Sequence, residues 1–202
     1  YLEAAEQAGY EINNDMNGYK QEGFGLMDTT IFGGKRQSTS VTYLHPIIKR
    51  KNLKVITKTV VHKIMIENNK AVGVEYSQGK RKEEVYAENE VILSAGAINS
   101  PQILQISGVG PADILKKNGI KITHDLYGVG KNLRDHYNVR LTGRVKNIST
   151  INEQSRGLPL IKEIIKYFWN GNSILSLGPT LVYCFWHSDE TIKNHDSQMT
   201  FT

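Results

Sequence analysis

One stretch restricts the fold of this chain more than any other. It is the run Glu90-Val91-Ile92-Leu93-Ser94, which turns at Ala95-Gly96 and leads to Ser100-Pro101. A near-continuous apolar run of this length predicts a strand buried on both faces, as in a parallel sheet. Glycine at 96 lets the backbone take strained angles and approach a bulky ligand closely. Ser100-Pro101 reads as a helix N-cap followed by a first helical residue, with a short helix over 102–106 that ends at Ser107-Gly108. Strand, glycine turn and helix in that order occur where α/β sheets present ligands, at strand carboxyl ends.

The flanking pattern is mixed. Residues 1–9 read as the end of a helix stopped by Gly9, and residues 10–37 are dense in Asn, Asp and Gly, as turns are. Ser38 is placed to cap a short helix that Pro46 disturbs. Strands are predicted over 53–57, 60–66, 71–76 and 82–86, with a turn at Glu67-Asn68-Asn69-Lys70. Pro111 starts a helix over 112–117 closed by Asn118-Gly119, and 127–138 is a loop. Pro159 opens an amphipathic helix with Leu160, Ile161, Ile164, Ile165 and Phe168 on one face and Lys162, Glu163 and Lys166 on the other. The expected cover for that apolar face is the protein's own sheet, and a membrane surface is the alternative. A strand over 181–186 follows.

Composition excludes several classes. Hydrophobic residues at 39% and charged residues at 22% suit a globular domain rather than a disordered chain. No apolar stretch approaches the ~20 residues of a membrane span. The net charge of +5 is scattered over small clusters such as Lys49-Arg50-Lys51 and Lys80-Arg81-Lys82. Nucleic-acid binding needs a denser stripe, so no such partner is expected. Cys184 stands alone and is expected to be a packed thiol. His45, His62, His124, His187 and His195 lack the spacing of a metal site, and no metal is expected. Tyr1-Leu2-Glu3 carries no targeting signal, and localisation is not legible.

The run from Gly96 through Ser107-Gly108-Val109-Gly110-Pro111 resembles, position by position, the second signature of the glucose–methanol–choline oxidoreductases. Gln21-Glu22-Gly23-Phe24-Gly25, Arg36-Gln37-Ser38, Tyr43-Leu44-His45-Pro46 and Arg50-Lys51-Asn52-Leu53 are similar to further motifs of that family, in the same order. So are Gly73-Val74-Glu75-Tyr76 and Gly128-Val129-Gly130-Lys131-Asn132-Leu133-Arg134-Asp135-His136. The resemblance covers roughly residues 10–137 and thins beyond 140.

It implies an α/β fold: a portion of an FAD/NAD(P)-binding Rossmann-like domain plus part of an α+β substrate domain with an antiparallel sheet. Residues 1–43 would be a substrate-domain or cap segment, 44–137 a segment of the FAD-binding domain, and 138–202 a segment of the substrate domain. It also implies FAD as cofactor and an alcohol as substrate, oxidised to a carbonyl by hydride transfer to the flavin. The electron acceptor is left open. By the same resemblance, the backbone of Val61 would meet the adenine edge, and Ser94, Ala95 and Gly96 would line the ribose and phosphates. Asp135 and His136 would organise a domain junction. The catalytic histidine of such enzymes is expected beyond Thr202, so no catalytic residue is assigned here. The rival reading is a non-catalytic remnant of the family acting as a binding module.

Overall fold

The computed structural model describes residues 1–178 and 180–201. In chain order come α1 (Leu2–Gln7), β1 (Gly23–Leu26), β2 (Ile31–Phe32), β3 (Lys35–Arg36), β4 (Thr59–Glu67), β5 (Lys70–Gln78) and β6 (Arg81–Tyr86). Then follow α2 (Gly96–Ile106), β7 (Val109–Gly110), α3 (Ala112–Lys117), β8 (His124–Asp125), α4 (Ile151–Gln154), α5 (Gly157–Asn170), β9 (Val182–Trp186) and β10 (Ser197–Phe201). The chain divides into two compact units, Tyr1–Leu53 with Gly143–Thr202, and Lys54–Thr142.

The second unit is built on the antiparallel sheet β4-β5-β6. Its first hairpin turns at Asn68 and Asn69, with φ of 49° and 61°. Asparagine tolerates this left-handed geometry, and a two-residue turn of that hand matches the twist of the strands. Glu67 therefore faces Lys70, and Val61 faces Tyr76, with a register shift between Val61 and Lys63. Ile64 and Tyr76 are buried. The Tyr76 hydroxyl donates to Glu83 Oε2 at 2.8 Å. Helix α3 starts after Pro111, ends at Asn118-Gly119, and buries Leu115 completely.

Three expectations for this unit are corrected. Residues 53–57 form no strand. The Thr57 carbonyl accepts from the side chains of Gln78 and Thr59 instead of entering a ladder, and Lys58 at φ 56° breaks the extended run. Residues 90–94 are not a strand either. Their side chains alternate between half-buried and exposed, with Ile92 77% exposed. No described strand pairs with them, and a parallel ladder draws all its bonds from neighbours. Finally, Ser100 is not the N-cap of α2. The helix already begins at Gly96, Pro101 lies inside it, and Ser100 Oγ instead accepts from the Ala95 amide at 3.0 Å.

The first unit is built on the antiparallel sheet β1-β9-β10, with β9 in the middle. Strands β1 and β10 were not legible from periodicity, because β1 is half glycine and β10 mostly polar. A Cβ on Gly25 would run into the Asn13 carbonyl and the Met16 side chain, so close approach explains that glycine. Tyr10 stands edge-on to Trp186 at 5.1 Å and tilted to Phe24 at 5.4 Å, which closes one end of the sheet.

Cys184, on β9, is fully buried, and burial pushes its thiol from 9.0 up to about 11, with Glu22 adding to the effect. The folded state holds this proton more tightly. The thiol's contribution to stability is therefore complete below pH 9 and is lost as pH rises through about 11. A thiol held this high also has a thiolate fraction near neutral pH roughly a hundredfold smaller than an unburied one. Labelling by an aromatic disulfide reagent is expected to be at least that much slower in native protein than in urea. Equal rates with and without urea would contradict the packed thiol.

Helix α5 reverses the expected arrangement. Most of its apolar residues face outward among the described residues, Leu160 and Tyr167 are half-buried, and its one buried residue is Glu163. Glu163 Oε2 accepts from the Ile174 amide at 3.1 Å, and its Oε1 accepts from Lys166 Nζ at 2.6 Å. The Ser173 hydroxyl donates to the Glu163 carbonyl at 2.8 Å. The Lys166 ammonium first, and then the Ile174 amide, hold the carboxyl below its usual range. A satisfied carboxylate thus anchors the helix to the following turn, and the apolar face is left over.

Candidate functional site

Ser94, Ala95 and Gly96 form the entry to α2. Gly96 has φ +88°, and nothing lies within 4 Å of where a Cβ would stand. The first turn of α2 carries no side-chain cap. A helix of 11 residues extends about 16 Å, and its uncapped first-turn amides present partial positive charge. Small residues and open space at that end let a bulky anion reach those amides.

Val61 lies on β4 and is 38% exposed. Strand β4 is an edge of its sheet, so one row of its backbone groups is free of strand pairing. One member of that row has a side-chain partner: the Ile64 amide donates to Ser107 Oγ at 2.8 Å, and that hydroxyl donates to the Ile103 carbonyl at 2.6 Å. Ser107 therefore ties the end of α2 to β4. The tie lies three residues beyond Val61 and eleven beyond Gly96. The structure thus brings both elements into one unit without joining the two chosen positions directly.

The turn after α2 is tightly determined. Gly108 has φ +89°, and a Cβ there would sit 2.5 Å from the Lys121 carbonyl and 2.6 Å from Thr123 Oγ1. Its own carbonyl accepts from the amides of Thr123 at 2.8 Å and His124 at 3.0 Å, which sets up the parallel pair β7-β8. Asp125 Oδ1 accepts from the Ala112 amide at 3.0 Å, giving α3 its N-terminal partner. Gln105 Nε2 donates to the Val129 carbonyl at 3.1 Å and holds the following loop against α2. A cleft of about 430 Å³ runs beside the first turn of α2, with Ala97, Ile98 and Pro101 on one wall and Gly130 and Lys131 on the other.

Val61, Ser94, Ala95 and Gly96 carry no side-chain acid or base. Asp135 and His136 lie on exposed chain, where the His136 amide donates to Asp135 Oδ1 at 2.8 Å. Sequence reasoning missed Ser107 as a strut, Asp125 as a cap and Lys131 as the cleft's cation. Ile64 and Ser107 are 43 residues apart, and no local pattern announces such a pair.

The first unit holds another cleft, of about 490 Å³, and none of the chosen site residues lines it. There His187 Nε2 meets Glu22 at 3.1 Å, while His187 Nδ1 is buried without a partner among the described residues. His195 Nε2 meets Gln21 Oε1 at 2.7 Å. No group of three or more His, Cys, Asp or Glu among the described residues is arranged to hold a metal ion.

The family profile of the GMC oxidoreductases matches residues 1–138. Human mitochondrial choline dehydrogenase is 46% identical over 169 residues, which are 84% of this chain and 28% of that protein. An oxygen-dependent choline dehydrogenase of Photobacterium profundum is 50% identical over 139 residues, 69% of this chain and 24% of that protein. The chain thus spans about a quarter of the length of these relatives. Among solved structures, an FAD-dependent oxidoreductase from Chaetomium thermophilum superposes with a TM-score of 0.78 over 92% of this chain and 33% of that one, at 24% identity. At that identity the likeness speaks for the α/β fold.

Proposed function

The chain belongs to the GMC oxidoreductase family, and from that premise we propose that it serves an FAD-dependent enzyme oxidising the CH–OH group of a small alcohol to a carbonyl. FAD, when bound, supplies the hydride acceptor. The work of this chain is to hold that cofactor. Ser94, Ala95 and Gly96 line its ribose and phosphates, and the first-turn amides of α2 donate to the anionic oxygens. The backbone of Val61, on the edge of β4, meets the adenine edge, and Ser107 keeps β4 and α2 in fixed register. The single observation that carries this assignment is the uncapped start of α2 with open space over Gly96. Residues 44–137 belong on this reading to the FAD-binding domain, which the compact unit Lys54–Thr142 supports. Residues 1–43 and 138–202 belong to the substrate domain.

The two relatives are choline dehydrogenases by name, so choline is the first alcohol to test. Adding choline anaerobically to the intact FAD-loaded protein is expected to bleach the flavin absorbance. Oxygen uptake against dye reduction then identifies the acceptor. A flavin that stays oxidised with choline, sugars and simple alcohols alike would leave the non-catalytic reading. Gly96→Val tests the binding turn separately. The valine side chain would fill the open space over the turn through which the cofactor approaches, and a loss of FAD affinity of roughly tenfold or more is expected. Unchanged flavin retention in a folded Gly96→Val protein would remove this turn from the site.

A further inference from the structure

Asparagine precedes glycine at three places in this chain, Asn17-Gly18, Asn118-Gly119 and Asn170-Gly171, and all three asparagines are exposed. Glycine has no Cβ to hinder its amide, so that nitrogen approaches the side-chain carbonyl carbon of the preceding asparagine more freely than any other residue's. Two of the pairs close helices. At the end of α3 the Asn118 amide donates to the Ile114 carbonyl at 3.2 Å, the Gly119 amide to Lys116 at 3.1 Å and the Ile120 amide to Leu115 at 2.9 Å. Asn118 Nδ2 also donates to the Ile114 carbonyl at 2.9 Å. At the end of α5 the Gly171 amide donates to the Tyr167 carbonyl at 3.1 Å, and Asn170 Oδ1 accepts from the Asn172 amide at 2.9 Å. A helical side chain leans toward the N-terminus, away from the next amide nitrogen, so these ends must unravel before the two atoms meet. Asn17 instead stands in a turn outside any helix or strand. That turn is closed by one backbone bond, from the Gly18 amide to the Asp15 carbonyl at 3.1 Å.

We propose that Asn17-Gly18 is a site of spontaneous deamidation, and that the product loosens this turn. The Gly18 nitrogen bonds to Asn17 Cγ and the Cγ–Nδ2 bond breaks. Nδ2 leaves as ammonia, taking up through water the proton that the Gly18 nitrogen gives up. Water then opens the five-membered imide. Opening at Cγ yields aspartate, and opening at the backbone carbonyl yields an iso-aspartyl link that runs the chain through the side chain. Asn17 Nδ2 now donates to Asp28 Oδ2 at 2.6 Å. Aspartate at 17 replaces that donor by a second carboxylate, and Asp15 adds a third nearby, since a Cβ on Gly18 would stand 2.5 Å from Asp15 Oδ2. Loss of the bond and like-charge repulsion both act against the turn.

The test uses the intact FAD-loaded protein, held at physiological temperature in mildly alkaline buffer and sampled over weeks. Digestion at mildly acidic pH and mass spectrometry follow conversion of amide to acid at the three pairs, and the iso-aspartyl form identifies the imide route. Asn17 is expected to convert roughly tenfold or more ahead of Asn118 and Asn170, since each hydrogen bond that must open slows its site several-fold. In urea all three are expected to convert at similar rates. Conversion at Asn118 or Asn170 as fast as at Asn17 in the native protein overturns the proposal. So does an Asn17 that stays an amide while the urea sample reacts. Asn17→Asp supplies the product directly and is expected to lower the urea midpoint. Adding Asp28→Asn is expected to restore the midpoint, because an amide–carboxylate pair returns with its two members exchanged. A midpoint that Asn17→Asp leaves unchanged overturns the loosening.

Discussion

Gly108→Val is expected to lower the unfolding free energy by about 4 kcal/mol. Left-handed backbone at a non-glycine residue costs about 1–2 kcal/mol. The new Cβ would also stand 2.5 Å from the Lys121 carbonyl and 2.6 Å from Thr123 Oγ1. Relieving that overlap pulls the 120s strand away and weakens two hydrogen bonds to the Gly108 carbonyl, each worth about 1 kcal/mol. Gly96→Val is the internal control. It carries a similar φ of +88° with nothing within 4 Å, so it should lose only the strain. Urea midpoints at unchanged slope measure both. Equal losses for the two variants would mean that the packing around Gly108 yields at no cost.

Ser107→Ala is expected to cost about 2 kcal/mol, more than the typical net worth of a hydrogen bond. The excess comes from the Ile64 amide, which loses its only described partner on the sheet edge and is left part-buried. The loss should be local as well as global. Exchange of the Ile64 amide with solvent should speed up by more than that of its neighbours on β4. A change within about 0.5 kcal/mol, with Ile64 still protected, would mean that Ser107 is not the strut between α2 and β4.

Local chemistry made part of this fold legible. The Asn68-Asn69 turn fixes its hairpin, and Pro111 with Asn118-Gly119 brackets α3, because each choice is made within a few residues. The misreadings share a cause, which is that distant partners decide the state. The apolar run 90–94 needs neighbouring strands to become one. Ser100-Pro101 obeys capping rules, yet Gly96 admits the helix earlier and turns Ser100 to the Ala95 amide. The outward face of α5 follows from Glu163, which Lys166 pairs within the helix and which Ser173 and Ile174, beyond the helix end, tie to the following turn, where helical periodicity carries no information. At the site, the glycine turn was visible as a motif. The strut at Ser107 and the cap at Asp125 were not, since each joins residues far apart in sequence.

Residues 91–94 join no ladder among the described residues, although their sequence is that of a strand. An extended apolar backbone with open hydrogen-bonding edges is a template on which another chain can add as a strand and begin to aggregate. Directly before it stand Glu88 and Glu90, both exposed. Neither belongs to the turn at Gly96 or to a helix. Like charges at the mouth of such a segment repel the second chain before the first ladder bond forms, which is the part gatekeepers play beside unavoidable hydrophobic strands. Two exposed carboxylates at that place oppose such pairing through charge alone, without a contact in the fold.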